Sequence, residues 1–450
     1  MRINKVMIAS TGSGRGKTTF VSGMLNILKA KNVHAFKCGP DYIDPMFHRD
    51  VIGVSSTNLD SFFCDEALLR KVFISNATDI NIIESAMGLY DGVGVTCGGS
   101  AYEVAEILDC PIVLLIDGHG MGYSIVAEIK GFLALDKSNL IKGVVLNRVS
   151  EKYYKKLAPV IEQECGIKVL GHVSKLKDCE LKSRHLGLMT PDENEFSEKL
   201  EKISNEIIRG VDVDAIISLG ECDYSYKCDI HSEKIGTVGN VSIGQNVENK
   251  YVVAVAKDEA FSFIYDENIK VLIEYGARIE YFSPIHDERL PEGTTHLVLF
   301  GGYPENYAEK LSENMSIKKD ICDRYSNGMK ILAECGGFMY LLDTIHVDDS
   351  EYSMLGLIRG NAYRTDGLVR FGYVNANVNG IEIKGHEFHH YDVGNIVYSE
   401  NSFAENVSSQ VRYPAFIHTE KMISGFPHLY YRSNEKLIEE FLTGGTEECL

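Results

Sequence analysis

No apolar run in this 450-residue chain approaches the length of a membrane-crossing helix; Ile112–Ile116 and Leu297–Phe300 are only long enough for strands. The chain also lacks an excess of positive charge. Its net charge of −19 argues against generic binding to nucleic acid or an anionic membrane, while leaving room for a local basic cleft that holds phosphate. No Cys-x-x-Cys pair occurs among the eleven cysteines, which favours free thiols over a disulfide frame or a zinc site. There is no internal repeat and no low-complexity tract. No signal peptide is read ahead of the first strand, and the expected location is the cytoplasm. What is present is length and a 44% hydrophobic content, enough for two or three domains with large cores.

From Met1 to about Gly220, short apolar strands alternate with amphipathic segments: Lys5–Ser10, His34–Cys38, Ile80–Glu84, Pro111–Asp117, Lys142–Asn147 and Lys168–Val173. This alternation predicts a parallel sheet with helices on both faces and ligands at the carboxyl ends of its strands. Glu221 to about Lys250 loses the pattern and is rich in Gly, Asn and Ser, so a linker is expected at 226–250 between domains spanning 1–225 and 251–450. A second alternating series follows with Tyr251–Ala256, Arg278–Phe282, His296–Phe300 and Lys330–Ala333.

The first strand runs into Gly12-Ser13-Gly14-Arg15-Gly16-Lys17-Thr18-Thr19 and then an amphipathic helix. The glycines let successive backbone N–H groups converge on one anion at a helix start, with Lys17 on the outer phosphates and Thr18 on Mg²⁺. Asp41 and Glu84 end the next two strands, and with Thr18 they supply the hard oxygen ligands that Mg²⁺ requires. Asp117 closes another strand as a weaker candidate. Asn147 offers an amide donor and acceptor to an adenine edge, and Arg184 with His185 could clamp a carboxylate or phosphate.

In the second half, the strand ending at Ala333 meets Glu334-Cys335-Gly336-Gly337 and a helical stretch. A thiol at such a turn is a nucleophile elbow, and the helix start is expected to favour thiolate. The amides of Gly302 and Gly336 are candidates for holding an oxyanion. Two histidines compete as base: His418, which Glu420 could orient, and His428. The run Gly385-His386-Glu387-Phe388-His389-His390 leaves a metal site as a separate reading.

Taken in order, these segments resemble the cobyrinate a,c-diamide synthase family, glutamine-dependent amidating enzymes of the corrinoid pathway. The resemblance runs through Thr11–Thr19, Gly39–Pro45, Met87–Gly92, Arg184–Leu188, Ala256–Phe261, Gly301–Glu305, Ala333–Gly337 and Gly385–His389. It implies an α/β protein with an N-terminal P-loop, dethiobiotin-synthetase-like domain and a C-terminal class I glutamine amidotransferase-like domain. It further implies that ATP with Mg²⁺ phosphorylates a carboxylate of a corrin-type macrocycle bound beside Asp41, Tyr42 and Ile43. Cys335 would take ammonia from glutamine with His428 rather than His418 moving the proton, and the ammonia would cross a covered channel. Tyr430 stands where other amidotransferases carry a Glu two residues after the histidine. A homodimer is an assembly the resemblance allows. The chain departs from the family at Ser85-Ala86, where glycine usually follows the acid, and at Pro427 before His428. Nickel sirohydrochlorin and hydrogenobyrinate remain alternative macrocycles. A P-loop ATPase with an inactive amidotransferase domain remains the alternative of another class.

Overall fold

The computed structural model describes residues 2–176, 179, 193–223 and 250–444. The chain divides into two units, Met1–Ser225 and Tyr226–Leu450. All but Lys250 of the 226–250 segment lies outside the described residues. No described helix is long and apolar enough to cross a membrane.

The first unit runs β1 (Arg2–Ser10), α1 (Lys17–Leu28), β2 (Val33–Cys38), α2 (Ile43–Phe47), β3 (Ser56–Leu59), α3 (Glu66–Asn76), β4 (Ile80–Glu84), α4 (Ala101–Leu108) and β5 (Ile112–Asp117). It continues with α5 (Ser124–Leu135), β6 (Ile141–Asn147), α6 (Glu151–Cys165), β7 (Lys168–Val173), α7 (Glu193–Gly210), α8 (Val213–Leu219) and β8 (Glu221–Asp223). Seven strands form a parallel sheet in the order β3-β2-β4-β1-β5-β6-β7. Every residue of β2, β4 and β5 is buried, as strands covered on both faces require. Two features were not legible from apolar periodicity. β3, Ser-Thr-Asn-Leu, is an edge strand with one apolar residue. Glu221–Asp223, the start of the aperiodic segment, pairs antiparallel with the beginning of β1.

The second unit runs β9 (Tyr251–Ala256), β10 (Phe261–Phe263), α9 (Asp266–Glu274), β11 (Ala277–Phe282), β12 (His296–Leu299), β13 (Gly301–Gly302), α10 (Ala308–Glu313), α11 (Met315–Ser326), β14 (Lys330–Glu334) and α12 (Gly336–Leu341). Eleven strands follow: β15 (Leu342–Val347), β16 (Ser350–Ser353), β17 (Ile358–Arg364), β18 (Arg370–Val378), β19 (Ile381–His389), β20 (Tyr391–Gly394), β21 (Ser402–Asn406), β22 (Arg412–Pro414), β23 (Phe416–Thr419), β24 (Met422–Gly425) and β25 (His428–Leu429). α13 (Lys436–Thr443) closes the unit. Its main sheet, β11-β9-β12-β14-β24-β23, is parallel except for the edge strand β23. The sequence pattern predicts its first four strands but not the antiparallel sheet β22-β21-β18-β19-β25. β18, Arg-Phe-Gly-Tyr-Val-Asn-Ala-Asn-Val, buries only alternate residues of its second half, so no apolar run marks it.

Candidate functional site

Each unit brings its chemistry to the carboxyl ends of its parallel strands. In the first, β1 ends at Ser10 and the loop closes through Gly14 and Gly16, at φ +70° and +91°, which glycine adopts without strain. A Cβ on Gly16 would lie 2.4 Å from Asn147 Nδ2. No side chain caps α1, so its first amides are available to an anion. Lys17 Nζ donates to Ser10 Oγ (2.8 Å), the Gly12 carbonyl (3.2 Å) and the Met87 carbonyl. Burial, and next the charge of Lys37, lower its pKa to about 8.

Asn147 serves this loop as a brace: Nδ2 donates to the Arg15 carbonyl (2.8 Å), and Oδ1 accepts from the Arg148 amide (3.0 Å). Both ends of the amide expected on an adenine edge are thus engaged by protein. Asp117 ties Arg15 (3.2 Å) and Arg148 together at the ends of β5 and β6.

Thr18 Oγ1 donates to Glu84 Oε1 at 2.9 Å and to Asp44 Oδ2 at 3.3 Å. The second acid against Thr18 is therefore Asp44 on α2. Asp41 stands further out, 3.8 Å from Lys37 Nζ, with Oδ1 accepting from the Ile43 amide. Burial raises the Asp41 pKa to about 7. Tyr42 is buried and Ile43 half-buried next to it. Periodicity did not single out Lys37: it is buried at the penultimate position of β2, and its ammonium lies 2.5 Å from Asp44 Oδ2 and 2.9 Å from Glu84 Oε1. His48, 3.6 Å from Glu84 Oε2, is held near pKa 4 by burial and stays neutral. Asp44 Oδ1 and Glu84 Oε2 are buried without a hydrogen-bond donor, while the other oxygen of each carboxylate meets Thr18 and Lys37, so the two acids and the Thr18 hydroxyl form a hard-oxygen set of the kind magnesium takes. Arg184 and His185 lie outside the described residues.

In the second unit, Cys335 joins β14 to α12 at φ +48°, ψ −109°, the strained conformation of a nucleophile elbow. Its amide donates to the Gly425 carbonyl (2.8 Å). The expected thiolate is not the resting form. Burial pushes the thiol up, Glu305 adds to this, and α12 is only six residues long. A base is therefore needed.

Gly302 and Gly336 approach each other: a Cβ on Gly336 would lie 3.1 Å from Gly302 N. Asp258 shapes this approach by accepting from the Ala260 and Phe261 amides, and the Ala260 carbonyl accepts from Tyr303 N. His428 is buried next to Gly301, where a Cβ would lie 2.3 Å from its Cε1. His418 lies on the edge strand β23, opposite Ile423 rather than the elbow. Its carboxylate neighbour is Glu440, 3.5 Å away, and not Glu420 as its local sequence suggests. Pro427 spans β24 and β25, and His428 keeps its ladder position opposite His386. Among the described residues no group of three or more His, Cys, Asp or Glu is arranged to hold a metal.

Glu334, beside the nucleophile, is buried and accepts the Tyr431 hydroxyl at 3.0 Å. Burial raises its pKa to about 8, so it is neutral at pH 7 and adds no charge to the elbow. A raised carboxyl pKa means that the folded state holds a proton which the unfolded state releases above about 4.5. Stability therefore falls as pH rises from 4.5 to about 8. Glu334→Gln is expected to match the wild type near pH 4.5 and to exceed it at pH 9 by on the order of 3–5 kcal/mol. Urea midpoints at the two pH values check this, and parallel pH profiles would refute it.

A strand-loop-helix with open amides, paired with an elbow that presents a cysteine between glycine amides, belongs to an enzyme that couples nucleotide use to nitrogen transfer. Two family models match the chain: a CobQ/CobB/MinD/ParA nucleotide binding domain over residues 6–188 and a CobB/CobQ-like glutamine amidotransferase domain over 252–430. The protein is a glutamine-dependent amidating ligase by class. Over 98% of its length it is 38% identical to the cobyrinate a,c-diamide synthase of Picrophilus torridus, covering 99% of that protein. It is 39% identical to that of Caldanaerobacter subterraneus over 97% of both chains. The chain belongs to the cobyrinate a,c-diamide synthase family.

Proposed function

We propose that the protein converts cobyrinate to its a,c-diamide, using ATP to activate each carboxylate and glutamine as the nitrogen source. The observation that carries this reading is the full-length similarity to relatives named for that reaction. The division of labour assigns 1–225 to ATP and the macrocycle and 251–450 to glutamine, joined by 226–250.

In the first unit the α1 amides and Lys17 receive the phosphates. A magnesium ion held by Thr18, Asp44 and Glu84 would offset charge on the transferring phosphoryl group. Asp41, Tyr42 and Ile43 at the exit of β2 form the macrocycle side, and the family resemblance adds Arg184 and His185, which lie outside the described residues. The substrate carboxylate attacks the γ-phosphorus and ADP leaves, so that the carboxylate oxygen becomes a phosphate leaving group. In the second unit His428 takes the Cys335 proton and sulfur attacks the glutamine amide carbon. The Gly302 and Gly336 amides hold the resulting oxyanion, and ammonia departs with the proton returned by His428. Water then hydrolyses the thioester to glutamate. Ammonia displaces phosphate from the activated carboxylate.

One competition assay tests the substrate. With ATP, Mg²⁺ and glutamine, cobyrinate offered alongside hydrogenobyrinate and nickel sirohydrochlorin is expected to be the macrocycle diamidated. Preferential turnover of either competitor would reassign the substrate. ATP hydrolysis without glutamine consumption would favour a P-loop ATPase with a silent second unit.

A further inference from the structure

The histidine run of β19 has no part in the chemistry above. His386 and His428 are register partners across the β19–β25 ladder. Their rings lie parallel, with centroids 5.0 Å apart and planes 21° apart, and both are buried. The Gly301 backbone abuts the His428 imidazole. His386 is itself anchored, its Nδ1 lying 3.3 Å from the Tyr265 hydroxyl. Tyr265 meets Tyr430 edge-on at 5.8 Å and 78°.

Resting on the glutamine chemistry proposed above, we infer that His386 is a positioning residue for His428. Its ring fixes the imidazole plane against Gly301, so that His428 meets the Cys335 proton in one orientation. In that step the S–H bond breaks and an N–H bond forms on His428. The products are a thiolate and an imidazolium, and no proton passes to His386. Burial holds the His428 imidazole well below its ordinary pKa, with His386 and His389 adding to this, so the imidazolium forms only as the thiol proton transfers. The remaining titratable neighbours do not supply a counter-charge for the thiolate. Glu305 and Glu387 oppose it, and Glu334 is held neutral by burial. His389 is stacked on Phe426 at 4.0 Å, with Nδ1 2.7 Å from the Tyr391 carbonyl. The imidazolium is then the cation that accompanies the thiolate, and holding its ring in one plane spares the reorientation that proton transfer would otherwise require.

The test compares His386→Asn, which removes the ring, with His386→Phe, which keeps it. Glutamine hydrolysis and the pH dependence of Cys335 alkylation by iodoacetamide are measured in both. His386→Asn is expected to lower kcat for glutamine about tenfold with KM within about twofold, and to move the rising limb of alkylation to higher pH. His386→Phe is expected to retain most of the rate. Should the Asn variant unfold, His386→Leu fills the same buried space without a flat ring and is expected to shift the alkylation limb in the same direction. An alkylation profile unchanged in His386→Asn, or equal losses in the Asn and Phe variants, overturns the inference. A wild-type protein that consumes no glutamine overturns the reading beneath it as well.

Discussion

Cys335→Ala is expected to lower glutamine-dependent amidation by roughly 10⁴-fold or more, the scale on which removing a nucleophile acts. Ammonia-dependent amidation is expected to remain within about twofold of wild type, because groups without shared contacts act independently. The argument rests on where each group stands. Cys335 is held at the end of β14 in a conformation that few residues tolerate, packed against glycines that leave no space for side chains. The phosphate loop and its acids belong to the other unit, and every acid against Thr18 comes from β4 or α2. Alanine removes one sulfur and leaves the backbone donors in place. The measurement is product formation from cobyrinate with ATP and either glutamine or ammonium chloride. Loss of both activities would break the two-centre mechanism. Retention of the glutamine-dependent rate would remove Cys335 from it.

The parts legible in the sequence are those where one local pattern fixes both conformation and chemistry. The phosphate loop is such a case, since a strand, spaced glycines and Lys17-Thr18 leave one arrangement of the backbone. The Cys335 elbow is another, because strand, cysteine and paired glycines define a strand-to-helix turn with the cysteine at its centre, although that centre is buried. The resting charge of the thiol was not legible, since it depends on burial and on Glu305, thirty positions earlier. Neither was the choice between Asp41 and Asp44, two acids three residues apart. The turn into α2 places Asp44 against Thr18, and that turn has no apolar signature. His418 has a glutamate two residues on, yet its carboxylate neighbour is Glu440 of α13. Lys37 left one signal, a lone lysine at an interior position of a strand otherwise buried throughout. A lysine there needs carboxylate partners, and Glu84 at the end of β4 and Asp44 on α2 supply them.

Lys37→Met is expected to disable the first unit while leaving glutamine hydrolysis by the second intact. The ammonium is buried against Asp44 and Glu84, which together with Thr18 surround it at the sheet edge. Removing one partner of a buried ionic cluster strands the others, which typically costs about 3–5 kcal/mol, far more than the net value of the intact pair. The carboxylates can then recover only by separating or by taking up protons, and either response moves the oxygens that are shared with Thr18. ATP-dependent amidation is therefore expected to fall by roughly 10²-fold or more with either nitrogen source, as when a preorganised charge is lost from a transfer site. The double variant Lys37→Met/Asp44→Asn removes the charge on both sides of this cluster's shortest ion pair. It is expected to regain about 2 kcal/mol of the lost stability while staying inactive, because the acid against Thr18 is also gone. Urea unfolding of the wild type, both single variants and the double variant closes the cycle. Additive losses would mean that Lys37 and Asp44 do not form the coupled pair on which the geometry of this centre depends.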